Sequence, residues 1–173
     1  LARLITKMAD VDAQLFYYFN GQKQGWLLDQ IMKTATHLGG AAFSVAFTIV
    51  LITMGQGLMN VGVKALIALS ASHVLVQILK FLVNRPRPFL VLPRAVLSSK
   101  PLKDYSFPSG HTAAAFSIAT VFAITYLSYS PLFLLLALIV GVSRVYLGLH
   151  YPSDVLIGSV LGAAGGFFSF LIM

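Results

Sequence analysis

Six ionisable side chains stand at the ends of long apolar stretches, where a charge or an imidazole is unfavourable unless it is paired or used. Lys80 and Arg87 are seven residues apart, His111 follows Ser109 and Gly110, and Arg144, His150 and Asp154 straddle a short break between two apolar segments. Seven residues are two helical turns, so Lys80 and Arg87 share a face if the helix holds that far. Pro86 and Pro88 are expected to end it first, turning Arg87 back over the helix end. Ser109 fits the N-cap of a helix opening at Gly110 and His111, whose unpaired N–H groups make an anion site. Pro152 suits the first position of another helix, which puts Asp154 in its first turn.

Three cations, a helix N-terminus, two histidines and one aspartate suit a phosphate group. The cations and N–H groups would hold its oxygens and offset the charge that grows in the transition state. One histidine can attack phosphorus while the other protonates the leaving oxygen. The aspartate would fix the tautomer of the attacking ring and steady its positive charge.

The elements that must position these residues follow from composition. The chain has 173 residues, 58% hydrophobic and only 10% charged, with a mean hydropathy of +0.86. A soluble domain is nearer half apolar and a quarter charged, so this is a bilayer chain and intrinsic disorder is excluded. There is no cysteine, which removes disulfides, thiolate zinc sites and cysteine nucleophiles. A net charge of +7 beside membrane-length segments points to anionic lipid rather than nucleic acid.

We expect an all-α, polytopic membrane bundle forming one domain over residues 1–173. Five spans are read at 40–57, 61–83, 111–128, 131–148 and 153–173; a further span ahead of Leu1 would make six. Leu4, Ile5, Met8, Val11, Leu15 and Phe16, and then the segment from Trp26 to Leu38, recur at helical spacing and read as interfacial helices over 1–38. The transmembrane core then covers 40–173. Between its second and third spans, residues 84–110 carry five prolines and five basic residues, a long loop expected to be functional. Following the chain through five spans puts all six ionisable residues on one membrane face. Gly158, Gly162 and Gly166, four apart, mark a face for close helix contact.

The motifs resemble those of the type 2 phosphatidic acid phosphatase superfamily, the lipid phosphate phosphatases. Lys80, six residues, then Arg87-Pro88 meets its first part. Pro108-Ser109-Gly110-His111 meets the second, and Ser143-Arg144 with His150 and Asp154 meets the third. The resemblance implies that His150 is the nucleophile, forming a phosphohistidine, with Asp154 as its orienting partner and His111 as general acid. It implies that Lys80, Arg87, Arg144, Ser109 and the Gly110 N–H bind phosphate, with no metal and no cofactor. His37 and His73 then read as hydrogen-bonded histidines in helix contacts.

The substrate so implied is a membrane lipid phosphate such as undecaprenyl pyrophosphate, phosphatidylglycerophosphate or phosphatidic acid. Short bacterial members of this kind carry the site on the outer face of the cytoplasmic membrane. The basic residues pull the other way: eleven of the twelve Lys and Arg fall on the site face and only Lys64 opposite, which the positive-inside rule would set in the cytoplasm. A phosphotransferase that passes the phosphoryl group to another hydroxyl is the alternative chemistry. A transporter is disfavoured because no internal repeat is visible, and a soluble vanadate-dependent peroxidase because of the spans.

Overall fold

The structure is a computed structural model that describes residues 2–20 and 25–173, with side chains from residue 7 onward in the first stretch. The described residues form eight α-helices: α1 (Ala2–Asn20), α2 (Trp26–Ala35), α3 (Ala41–Thr53), α4 (Gln56–Val83), α5 (Pro88–Val91), α6 (Gly110–Thr125), α7 (Ser130–Tyr146) and α8 (Pro152–Ile172). Short 3-10 turns precede α3 and α7.

Helices occupy all five apolar stretches, but not all are long enough to cross alone. The segments Gln56–Val91, Leu127–Tyr146 and Pro152–Ile172 meet that length and hydropathy. Trp26–Gly39 and Ala41–Thr53 qualify only as one pair, bent by 57°. α6 is apolar but shorter. Among the described residues there are therefore three candidate spans by these criteria, or four with the bent pair, where the sequence suggests five. The difference lies in length: α3 has 13 residues and α6 has 16, short of the 18 that a candidate span needs, and Gly40, extended at the N-cap of α3, sets the bend between α3 and the helix before it. The segment expected as a surface helix, 26–38, forms α2 and a 3-10 turn that meet α3 at that bend.

α6 packs against α4, α7 and α8. Its contact with α8 depends on the glycines at four-residue spacing. A Cβ at Gly158 would sit 2.6 Å from the Ser109 carbonyl oxygen, and at Gly166 2.6 Å from Thr120 Cβ. Gly162 lies directly against the Ala113 carbonyl oxygen. Only the missing side chains let these two backbones approach.

α1 is amphipathic in a way that simple apolar counting does not show. Met8, Val11, Leu15 and Tyr18 are exposed, whereas Asp12, Phe16 and Asn20 are buried at four-residue spacing. The side chains of Leu4 and Ile5 lie outside the described residues. Phe16 packs with Val145 and Tyr151. Asn20 Nδ2 donates to the carbonyls of Val96 (2.7 Å) and Tyr146 (2.8 Å), and its Oδ1 accepts from Val96 N at 2.8 Å. Those bonds pin the loop after α5 to the end of α7. Gly148, at φ +80°, permits the close approach of the Val96 carbonyl there.

Candidate active site

α4 ends at Asn84, whose left-handed φ of 50° reverses the chain while its N–H donates to the Lys80 carbonyl. Asparagine tolerates that conformation better than most residues. The following Arg-Pro-Arg-Pro returns over the helix end, and Arg87 becomes almost wholly buried at 1% exposure. Lys80 and Arg87 then converge on Asp104, a residue the sequence reading did not single out. Lys80 Nζ and Arg87 Nη2 each lie 2.7 Å from one of its carboxylate oxygens. Burial works to raise the pKa of Asp104, but the Lys80 hydrogen bond and the charges of Lys80 and Arg87 overcome it and hold it at about 2. Asp104 is therefore an anion while its side chain remains 55% exposed.

Arg87 also reaches the short turn between α7 and α8. Its Nη1 donates to the Leu149 carbonyl at 2.7 Å and lies 3.2 Å from His150 Nε2. A guanidinium only donates, so Nε2 presents its lone pair and the ring proton belongs on Nδ1. Burial first, and then Arg144 and Arg87, lower the His150 pKa to about 3, against the pull of Asp154. The ring is neutral at physiological pH. Arg144, from the last turn of α7, donates through Nη1 to Thr36 Oγ1 at 2.8 Å. Its Nε and Nη2 are buried without a hydrogen-bond partner, as is His150 Nδ1. Unpartnered guanidinium donors beside a cleft call for an anion.

The start of α6 forms the opposite wall. Ser109 is its N-cap, and its hydroxyl accepts from the Thr112 hydroxyl at 2.9 Å and the Thr112 N–H at 3.4 Å. That hydroxyl is fully buried and accepts both bonds within the helix start, which leaves its own proton to donate. The Gly110 and His111 N–H groups fall in the first turn, where helix geometry leaves them unpaired. His111 stands against the bend between α2 and α3, with Gly39 on its backbone carbonyl.

Asp154 lies behind His150 rather than in the cleft. Its Oδ2 is 3.6 Å from His150 Nδ1, longer than a hydrogen bond. The same oxygen accepts from Ser106 Oγ at 2.5 Å and Tyr151 N at 2.9 Å, while Oδ1 accepts from Arg85 Nη1 at 2.8 Å. Arg85 in turn donates from Nη2 to Asp12 of α1 at 2.7 Å and stacks on the Tyr151 ring at 3.7 Å. Asp12 also accepts from Ser153 N at 2.9 Å.

Lys80, Arg87, Gly110, His111, Arg144 and His150 thus line one cleft of about 420 Å³. Ser109 and Asp154 support it from behind. Asp104, Thr36, Arg85 and Asp12 were missed. One signal was available for the acids: the chain has only five acidic residues, and a lone aspartate in a basic loop is conspicuous. Thr36 carries no such signal. His73, expected as a hydrogen-bonded histidine in a helix contact, hydrogen-bonds Gln77 of its own helix but is exposed and lines the cleft, and His37 is exposed on the 3-10 turn.

A family model described as "PAP2 superfamily" matches residues 61–173. Phosphatidylglycerophosphatase B of Bacillus subtilis is 31% identical over 156 residues, covering 81% of this chain and 72% of that protein. An undecaprenyl-diphosphatase of Sulfolobus acidocaldarius is 37% identical over 116 residues, covering 64% of this chain and 54% of that protein. The chain spans about half the length of the first curated relatives it matches. The crystal structure of Aquifex aeolicus LpxE superposes with a TM-score of 0.82 at 33% identity, covering 91% of this chain and 93% of that one.

Proposed function

The chain belongs to the PAP2 superfamily, and on that premise we propose that it is an integral-membrane phosphatase acting on the phosphate headgroup of a membrane lipid. The names of its relatives support a lipid phosphate as substrate: an undecaprenyl-diphosphatase, a phosphatidylglycerophosphatase and lipid A 1-phosphatases. One observation carries the reading. A buried imidazole offers its Nε2 lone pair within 3.2 Å of Arg87, in a cleft it shares with Lys80 and a half-unpartnered Arg144.

In the proposed reaction the phosphate takes over the donors that Asp104 and His150 now share. Lys80, Arg87, Arg144 and the first-turn N–H groups of α6 hold its non-bridging oxygens. His150 Nε2 attacks phosphorus, the bond to the leaving oxygen breaks, and His111 gives that oxygen its proton. The resulting phosphohistidine carries its ring proton on Nδ1, facing the Asp154 carboxylate. Water then attacks phosphorus, giving its proton to His111, and phosphate leaves with Nε2 restored. The cations supply the charge offset, so the scheme includes no metal ion. We place the site on the outer face of the cytoplasmic membrane, as the resemblance implies.

The test is phosphate release from a panel of phosphatidic acid, phosphatidylglycerophosphate and undecaprenyl pyrophosphate by the purified protein in excess chelator. Wild type should turn over at least one of them and form an acid-labile, base-stable phosphoenzyme. His150→Ala should lose both turnover and phosphoenzyme while keeping its helical spectrum. Sustained turnover by that variant would remove the nucleophile assignment.

A further inference from the structure

The cleft does not stop at the phosphate site. On α4, Ser70, His73, Gln77 and Lys80 fall at successive spacings of three, four and three, one helical face, and all four line the same cleft as His111 and His150. At 1.5 Å per residue, Gln77 lies about 4.5 Å, His73 about 10 Å and Ser70 about 15 Å along the axis from Lys80, into the bilayer. Apart from Ser72, whose hydroxyl is buried and donates to the Leu69 carbonyl, the residues of α4 between them are apolar. Ala41 and Val45 of α3 and Leu69 of α4 also line this part of the cleft.

An imidazole and an amide at that depth are unfavourable without partners. Gln77 Nε2 and His73 Nε2 are 3.3 Å apart, and among the described residues neither makes another side-chain hydrogen bond. Both are exposed to the cleft. The pair leaves the Gln77 carbonyl oxygen, one amide N–H and the second ring nitrogen of His73 available. The cations of the cleft, Lys80, Arg87 and Arg144, are all at its catalytic end. A second phosphate at the depth of His73 would find no guanidinium or ammonium, whereas neutral hydroxyl and ester oxygens would find donors and acceptors.

We propose that Ser70, His73 and Gln77 form a second subsite that hydrogen-bonds an uncharged polar linker between the phosphate and the hydrocarbon chains of the lipid. This rests on the phosphatase reading and narrows its substrate class. The linker is the leaving group that His111 protonates, and it runs from the phosphate down the α4 wall. Glycerol esters and sugar hydroxyls both have this chemistry. A polyprenyl phosphate, whose hydrocarbon begins at the phosphoester, does not.

The experiment compares wild type with His73→Leu, Gln77→Leu and the double variant on three micellar lipids: phosphatidic acid, a glycolipid 1-phosphate and a polyprenyl monophosphate. The double variant should lose about 10- to 100-fold in kcat/KM on the polar-linked lipid that fits, the scale of one or two lost hydrogen bonds. It should change by less than about twofold on the polyprenyl phosphate, because that lipid makes neither bond. Which polar lipid suffers tells glycerol from sugar. Gln77→Asn and His73→Gln should recover part of the loss. Equal losses on all three lipids, or none on either polar one, would overturn the subsite. The same lipids are bound to the His150→Ala background with and without the two leucines, so affinity is read without turnover. Absent turnover by wild type would count against the phosphatase reading, and unchanged affinity ratios against the subsite.

Discussion

His150 is held neutral by its surroundings, and that has a measurable sign. Its pKa is about 3 in the folded protein and about 6.5 in an unfolded chain. Above pH 6.5 neither state takes the proton, so this residue leaves stability unchanged there. Between pH 6.5 and 3 the unfolded chain binds a proton that the native state refuses, so stability falls as pH falls, by at most about 1.4 kcal/mol per pH unit. Nitrogen-15 NMR of labelled histidines, assigned with His150→Ala, should show the His150 ring still neutral at pH 5. A ring that titrates near 6.5 would contradict the burial argument. At this scale residue type was the readable signal. Cations and imidazoles at the ends of apolar stretches are rare enough to be noticed, and they do converge. Asp104 and Thr36 escaped because each acts through a contact across more than 15 residues of chain, which no local pattern encodes.

Among the elements, α1 and Arg85 of the Arg-Pro-Arg-Pro strap bear on the site without lining it. Arg85 bridges Asp12 of α1 to Asp154 of α8, so it fixes the carboxylate that faces His150. Arg85→Gln should lower kcat about tenfold, the scale of losing an orienting partner, with KM little changed. Arg85→Lys should recover part of it. Steady-state kinetics on one lipid phosphate separate these, and a rise in KM alone would mean that Arg85 serves binding instead. The existence of the helices was legible from hydropathy. The inward face of α1 was not, because two of its three anchors, Asp12 and Asn20, are polar and look like solvent residues until their partners are seen. The break at Gly40 was legible, since Thr36, His37, Gly39 and Gly40 interrupt the apolar run there; its angle of 57° was not.

At the scale of the whole molecule, the close seam between α6 and α8 sets how far His111 stands from the His150 turn. Ser109 N donates to the Asp154 carbonyl at 3.0 Å, so the two helix starts are tied directly. Gly162→Leu would drive a side chain into the Ala113 carbonyl and to within 2.9 Å of Phe116 Cβ. It should destabilise the protein by about 1–3 kcal/mol, as overpacking does, seen as a lower melting temperature in detergent. Gly57→Ala, where nothing lies within 4 Å, is the control and should leave melting unchanged or slightly raised. Equal effects at both positions would show that the seam is looser than its geometry suggests. This seam was legible, because glycines four apart have few other uses in an apolar helix.

The carboxylate of Asp104 has one more consequence. It is tethered beside Lys80 and Arg87, so any oxyanion resting there contends with a rival that never diffuses away. Free phosphate, which lacks the hydrocarbon anchor of a lipid, is the guest least able to win that contest. In the proposed reaction that rivalry would help to empty the seat after each cycle, and accumulating end product is expected to jam it only weakly.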